Sequence, residues 1–140
     1  VKELIAAIQD KFSDNGLDAT ITGGCWSFYA GQGVPLPYMT VDYGESTVQD
    51  LMGTTQDFIE TYPVTMNIWT GIKNDEQESA LALEHCLSLR DEVEAVFNDC
   101  DLTMASYHLL RFGRTSHGVS PDADLGWHAT IQYEVTLEEA

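Results

Sequence analysis

Basic residues are the scarcest feature of this 140-residue chain: six Lys and Arg stand against 23 Asp and Glu, for a formal net charge of -17. Such a surface repels a phosphate backbone instead of releasing its counterions, which argues against nucleic-acid and anionic-membrane binding. The acid excess keeps a chain soluble at high salt and favours a basic partner, although a solvated acidic exterior explains it as well. Cysteine is scarce too. Cys25, Cys86 and Cys100 form no CxxC pair, and an odd number argues against a disulfide framework, so reduced and mostly buried thiols are expected. No apolar run reaches the roughly 18 residues that would cross a bilayer. The first residues open into a helical pattern without a basic n-region or an apolar h-region, so manufacture in a cytoplasm is the expectation.

Local catalytic signatures are missing as well. There is no G-x-S-x-G elbow, no P-loop and no G-x-G-x-x-G opening a helix, so acyl transfer, nucleotide phosphate binding and dinucleotide binding lack their geometry. The four histidines, His85, His108, His117 and His128, have neither H-x-x-x-H spacing nor a cysteine partner at finger spacing. Asp99 with Asp101, and Asp122 with Asp124, suit turns better than an EF-hand. Ser27 beside Cys25, and Ser116 beside His117, are neighbours in sequence only. The expectation is a protein without catalytic residues, cofactor or metal.

What is present is an apolar content of 44%, with 10% aromatics, enough for one domain over residues 1–140 with a sizeable core. Leu4, Ile5, Ile8 and Phe12 make one stripe of a first helix from about Lys2 to Asn15, with Gly16 as its stop. Extended pieces follow around Ala19 and Ile21 and again at Trp26, Phe28 and Tyr29, before a Gly-Pro loop. Pro37 to Tyr43 alternates as a half-buried strand. Gly44 to Thr55 reads as an exposed loop. A long strand from about Gln56 to Thr70 carries Phe58, Tyr62, Val64, Met66 and Ile68 on one face, with Pro63 suggesting an edge or bulge in its first half.

Asn74 and Gln77 resemble a cap and its reciprocal partner for a second helix, about Asp75 to Asn98, with Ala80, Leu83, Leu87, Val93 and Phe97 on its stripe. Leu102 to Phe112 reads as a strand and Gly113 to Asp124 as a turn-rich loop. Leu125 to Leu137 is the cleanest strand, with Trp127, Ala129, Ile131, Tyr133, Val135 and Leu137 on one face. The fold class is α+β: a mainly antiparallel sheet of four to five strands with two helices packed on one face, in the order α-β-β-β-α-β-β.

Two groups have the character of contact surfaces. Arg111, Arg114 and His117 form a basic cluster in an acidic chain, able to pair with an acidic patch on a neighbouring copy or to neutralise acids of its own. Trp26, Phe28 and Tyr29 crowd beside the Gly-Pro loop, although such a group belongs to a core more often than to an interface.

The order of elements, with "PLPYMTVDYGES", "TMNIWTG" and "GWHATIQYEVTLEE" as its strongest pieces, resembles the tail-completion or tail-terminator proteins of long-tailed bacteriophages and gene transfer agents. The resemblance covers nearly the whole chain. It implies an α+β subunit of a homo-oligomeric ring, a hexamer, in the neck of a virion, assembled in the cytoplasm of a bacterial host. The ring would cap the tail-tube protein and offer its other face to the head connector or stopper protein. Genomic DNA would pass through an acidic lumen without specific binding. Candidate contact residues on this reading are Arg111, Arg114, His117, Glu45, Asp50, Trp26 and Phe28, with the segments Gly44–Thr55 and Gly113–Asp124 as docking loops. The polar stretch Thr47 to Thr55 and the acidity depart from the family pattern. The competing readings are a head-completion or connector-stopper subunit, a cytoplasmic α+β module with a small-molecule pocket under Trp26 to Tyr29, and an enzyme of unrecognised type.

Overall fold

The first helix, α1 (Lys2–Asp14), buries Leu4, Ile5, Ala7, Ile8 and Phe12, the stripe its spacing demands. It stops at Gly16, whose φ of 76° is a left-handed conformation that only glycine adopts at no steric cost. These are features of a computed structural model that describes residues 2–50, 58–71, 76–122 and 126–140, without the side chains of 49, 50, 58, 76–81 and 122.

Beyond Gly16 the chain forms a 3-10 turn at Leu17–Ala19, where an extended piece was expected. The cause is local: Thr20 and Ile21 both donate backbone hydrogen bonds to the Leu17 carbonyl, which curls the segment and buries Leu17 and Ile21 under α1. Then come β1 (Cys25–Ser27), β2 (Tyr38–Tyr43), β3 (Thr47–Asp50) and β4 (Phe58–Trp69). The long helix α2 (Glu76–Phe97) leads to β5 (Tyr107–Asp122) and β6 (Gly126–Glu139). The order is therefore α-β-β-β-β-α-β-β, one strand more than expected.

The sheet is mixed and six-stranded, in the order β1-β2-β4-β6-β5, with β3 on β4 beyond the end of β2. All pairings are antiparallel except β1 with β2, which is parallel. Two expected loops are thus partly strand. Thr47 to Asp50 pairs with Phe58 to Thr61, and Gly113 to Asp122 pairs with Gly126 to Glu134. Of the rest of those loops Gly44 to Ser46 join β2 to β3, and 51–55 and 123–124 lie outside the described residues, as do Gln56 and Leu125 at the expected strand starts and Asn74 and Asp75 of the expected helix cap. The fifth strand starts at Tyr107, not at Leu102.

Strand β4 pairs with β6 from Ile59 to Trp69 and on its other side with β3 up to Thr61 and with β2 from Val64, so the edge expected in its first half is confined to Tyr62 and Pro63. Pro63 falls in the gap between those two partners, where its carbonyl accepts the Gly44 N–H at 2.9 Å. Because a residue's N and C=O point to the same side of a strand, the missing donor faces this gap and breaks no ladder bond.

One face of the sheet makes the core. Met39 and Val41 of β2, Tyr62, Val64, Met66 and Ile68 of β4, Phe112 of β5, and Ala129, Ile131, Tyr133, Val135 and Leu137 of β6 are buried together with the stripes of both helices. The two helices therefore share this face. On α2 the buried stripe is Ala82, Cys86, Leu89, Val93 and Phe97. Val93 and Phe97 are buried as expected, Leu83 and Leu87 are only half-buried, and the side chain of Ala80 lies outside the described residues. Asp99, at a left-handed φ of 52°, closes the helix and donates its N–H to the Phe112 carbonyl at 3.0 Å, fixing α2 against β5.

Candidate contact surfaces

The basic cluster is divided by the sheet. In the β5–β6 register Arg111 faces Thr136 on the uncovered face, whereas Arg114 faces Tyr133 and His117 faces Ile131 on the helix-covered face. Arg111 and Arg114, three positions apart with no bulge between them, fall on opposite faces by plain alternation, and the register shift between Arg114 and Ser116 inverts the alternation so that His117 joins Arg114.

Arg114 and His117 meet α2 through Glu94. This carboxylate is only 8% exposed, and its Oε2 accepts from the Arg114 guanidinium at 2.9 Å while its Oε1 lies 2.5 Å from His117 Nδ1. Arg114 also approaches the same Nδ1 at 3.2 Å. A guanidinium has no lone pair to offer, so Nδ1 can either accept from Arg114 or donate to Glu94, not both. When His117 Nδ1–H donates to the Glu94 carboxylate, the Arg114–His117 approach is a contact only. The sequence reading missed Glu94; its signal was an acid placed directly beside Val93 and three residues before Phe97, on the buried side of α2. Ser116 points the other way and donates to Gln132 Oε1 at 2.8 Å, so the Ser116–His117 neighbourhood is no nucleophile and base.

Arg111 remains at the surface, its side chain 60% exposed, with Glu134 at 3.7 Å. It lies across Gly113, where an added Cβ would come within 2.6 Å of Nε. The 3.7 Å separation exceeds hydrogen-bonding range, so its guanidinium donors stay available to another partner.

At the opposite side of the sheet, Trp26 is 40%, Phe28 48% and Tyr29 80% exposed, which overturns the core reading for this aromatic group. The reason is topological. β1 is a three-residue outermost strand, and after it Phe28 adopts φ 66° while its N–H bonds to Val41, turning the chain outward. Trp26 Nε1 donates to the Gly23 carbonyl at 2.7 Å, and Phe28 packs edge-on against Tyr43, with ring centroids 5.3 Å apart. Glu45 is exposed between β2 and β3, beside an open depression bounded by Tyr43, Ser46 and Tyr62. Asp50 ends β3, and its side chain lies outside the described residues.

The uncovered face is polar. Asn67 Oδ1 accepts from His128 Nε2 at 2.7 Å and from Thr130 Oγ1 at 3.1 Å, and the His128 ring stacks on Trp69 with centroids 3.9 Å apart. His128, half-buried on this face, is therefore held in place by an amide and an indole. A depression of about 250 Å³ between α1 and the segment before β5 is lined by Asp10, Asp14, Asp101 and Lys11 with only Ala7 and Leu102 as apolar wall, unlike the mostly apolar lining of a small-molecule site. Among the described residues no three metal-ligating side chains converge, and no helix is long and apolar enough to cross a membrane.

The cysteines are all free thiols. Cys86 is buried, whereas Cys25 and Cys100 are half-buried rather than enclosed. Burial pushes the Cys25 thiol up to about 12, and Cys86 and Cys100 up to about 11.

No protein-family model and no curated protein matches this sequence. Among solved structures, the chain is similar to one from the virion of a native gene transfer agent particle, with a TM-score of 0.64 and 16% identity over 99% of this chain and 96% of that one. A second solved chain matches with a TM-score of 0.55 and 14% identity, covering 99% of this chain and 94% of the other. At such identities the common property is the fold, and it extends across essentially the whole of each chain: this protein has the fold of a gene transfer agent virion chain.

Proposed function

We propose that this protein is a virion structural protein of the tail-terminator or tail-completion kind: a subunit of a ring, a hexamer, that caps the tail tube and joins it to the head connector. The observation that carries this reading is the end-to-end likeness to a chain of a gene transfer agent virion, which covers 99% of this chain and 96% of that one. The sequence resemblance to tail-completion proteins supports the same assignment.

The mechanism is geometric. A ring of head-to-tail contacts closes when the rotation between neighbours fits a whole number of copies, and a closed ring ends the addition of tube subunits while leaving a channel for DNA. Its work needs no catalytic residue, metal or cofactor. With 23 acids and six bases per copy, the lumen repels DNA and lets it slide. The partners on this reading are other copies of the chain, the tail-tube protein and the connector or stopper protein, and the site of action is the neck of a particle assembled in the bacterial cytoplasm.

The deciding experiment removes the gene from the source and examines particles by electron microscopy, with quantitative mass spectrometry across a density gradient. The expected result is co-banding of the chain with particles at a low fixed copy number, and, in its absence, tails of irregular length not joined to heads. Tails of normal length beside heads that lose their DNA would assign the head-completion role instead. A chain confined to soluble fractions would overturn the virion reading.

A further inference from the structure

The sheet has two open sides, and they differ in kind. On one side β5 is the outermost strand. Asp99 occupies its edge at Phe112, but from Arg114 to Gly118 every residue is exposed. On the other side the boundary is made by two short strands, β1 and β3, with Glu45 between β2 and β3.

Among the described residues, the large apolar side chains left exposed are Trp26, Phe28, Tyr29, Val48 and Leu110. Four of the five belong to β1, β3 or the turn after β1, and the fifth belongs to β5. Apolar exposure is therefore concentrated at the two sides of the sheet, where buried contact area has most to gain. Charge divides in the same way. On β5 the exposed Arg111 keeps its donors free, Arg114 and His117 being held by Glu94, whereas the opposite side bears Asp42 and Glu45.

We propose that these two sides are the halves of one head-to-tail contact, in which the β5 side of one copy, around Leu110 and Arg111, abuts the β1/β3 side of the next, around Phe28, Val48 and Glu45. The occupant of each side is a second copy of this chain. Two copies with a net charge of -17 repel each other over most of their surfaces, and the approach is least opposed where the cations of one meet the acids of the other. A two-fold contact between β5 strands would instead bring Arg111 of one copy towards Arg111 of the other, with no acid of the opposite side to meet either. Two different patches give a heterologous contact, the type that generates rings. This inference deepens the ring reading and rests on it for closure.

The test uses the full chain with Phe28→Cys or Leu110→Cys and a short bis-maleimide cross-linker at neutral pH, where the native thiols stay protonated and slow to react. Cross-linked dimer is expected when the two variants are mixed, and little from either alone. Tyr29→Cys replaces Phe28→Cys if circular dichroism shows the latter unfolded. Arg111→Glu, at an exposed position, is expected to raise the dissociation constant by about tenfold in analytical ultracentrifugation. Cross-linking of Leu110→Cys with itself as fast as in the mixture would overturn the proposal in favour of a two-fold contact, and a chain that stays monomeric well above micromolar concentration would overturn it outright. A monomeric chain that still co-bands with particles would remove the edge contact and leave the virion reading; cross-linking without co-banding would do the reverse.

Discussion

Glu94 on α2 and His117 on β5, 23 positions apart in sequence, meet at 2.5 Å through Oε1 and Nδ1, and with Arg114 they tie the middle of the longest strand to the longest helix. A carboxylate at 8% exposure is tolerated there because two donors satisfy both of its oxygens.

Replacing Glu94 by Ala leaves the Arg114 and His117 donors without their acceptor. The expected loss is about 2 kcal/mol, in the range for hydrogen bonds to charged groups. It should show as a lower urea midpoint at unchanged slope. Glu94→Ala and His117→Ala should be non-additive, with a coupling of about 1 kcal/mol. Strict additivity would mean that the 2.5 Å approach carries no energy.

Two glycines should respond differently to the same substitution. A Cβ at Gly23 would lie 2.0 Å from the Pro35 carbonyl and 2.6 Å from that of Pro37, both backbone atoms that cannot step aside. Gly23→Ala should therefore cost about 3 kcal/mol or more, or prevent folding. At Gly113 the obstacle is the exposed Arg111 side chain, which can swing into solvent, so Gly113→Ala should cost about 1 kcal/mol or less. Similar losses at both sites would contradict the tight approach at Gly23.

The thiols supply a chemical readout of the fold. With Cys25 pushed up to about 12 and Cys86 and Cys100 up to about 11, the thiolate fraction at mildly alkaline pH is far below that of an unfolded cysteine. Iodoacetamide should modify the native chain slowly and the urea-unfolded chain rapidly at all three positions, as counted by intact mass. Fast modification of native Cys25 would show that its surroundings open in solution.

Asp42 yields a pH prediction of definite sign. Desolvation raises its folded pKa above the ordinary aspartate value, and a hydrogen bond from Thr65 opposes this in part. A folded pKa above the unfolded one means that the native state binds the proton more tightly. The stabilisation is then fully present below the unfolded pKa and is lost as pH rises through the folded value. Asp42→Asn keeps an acceptor for Thr65 and removes the charge, so its stability relative to the parent should increase from acid to neutral pH. Parallel stability curves for the two proteins would contradict this.

The legible parts of the fold are those whose pattern is local. Trp127 to Leu137 alternates so cleanly that its inward residues follow from sequence, and Ala129, Ile131, Tyr133, Val135 and Leu137 are all buried. The stripe of α1 and the stop at Gly16 were equally plain. Thr47–Asp50 and Gly113–Asp122 were not, because both are polar and rich in turn-forming residues; they are strands because β4 and β6 offer them hydrogen bonds. Tertiary pairing there overrides weak intrinsic preference. The bulge between Arg114 and Ser116 was hidden for the same reason, and with it the placing of His117 on the face of Arg114 and away from Arg111.

The acidity, the absence of local catalytic signatures, the α+β class and the inner face of the final strand were determined by sequence alone, since each depends on composition or on a period of two or 3.6 residues. Only the tertiary structure decided that Trp26, Phe28 and Tyr29 lie outside, that Glu94 holds Arg114 and His117, and that β5 bounds one side of the sheet while β1 and β3 bound the other. Whether a strand has one neighbour or two depends on segments far away in sequence. No periodicity within the strand records it.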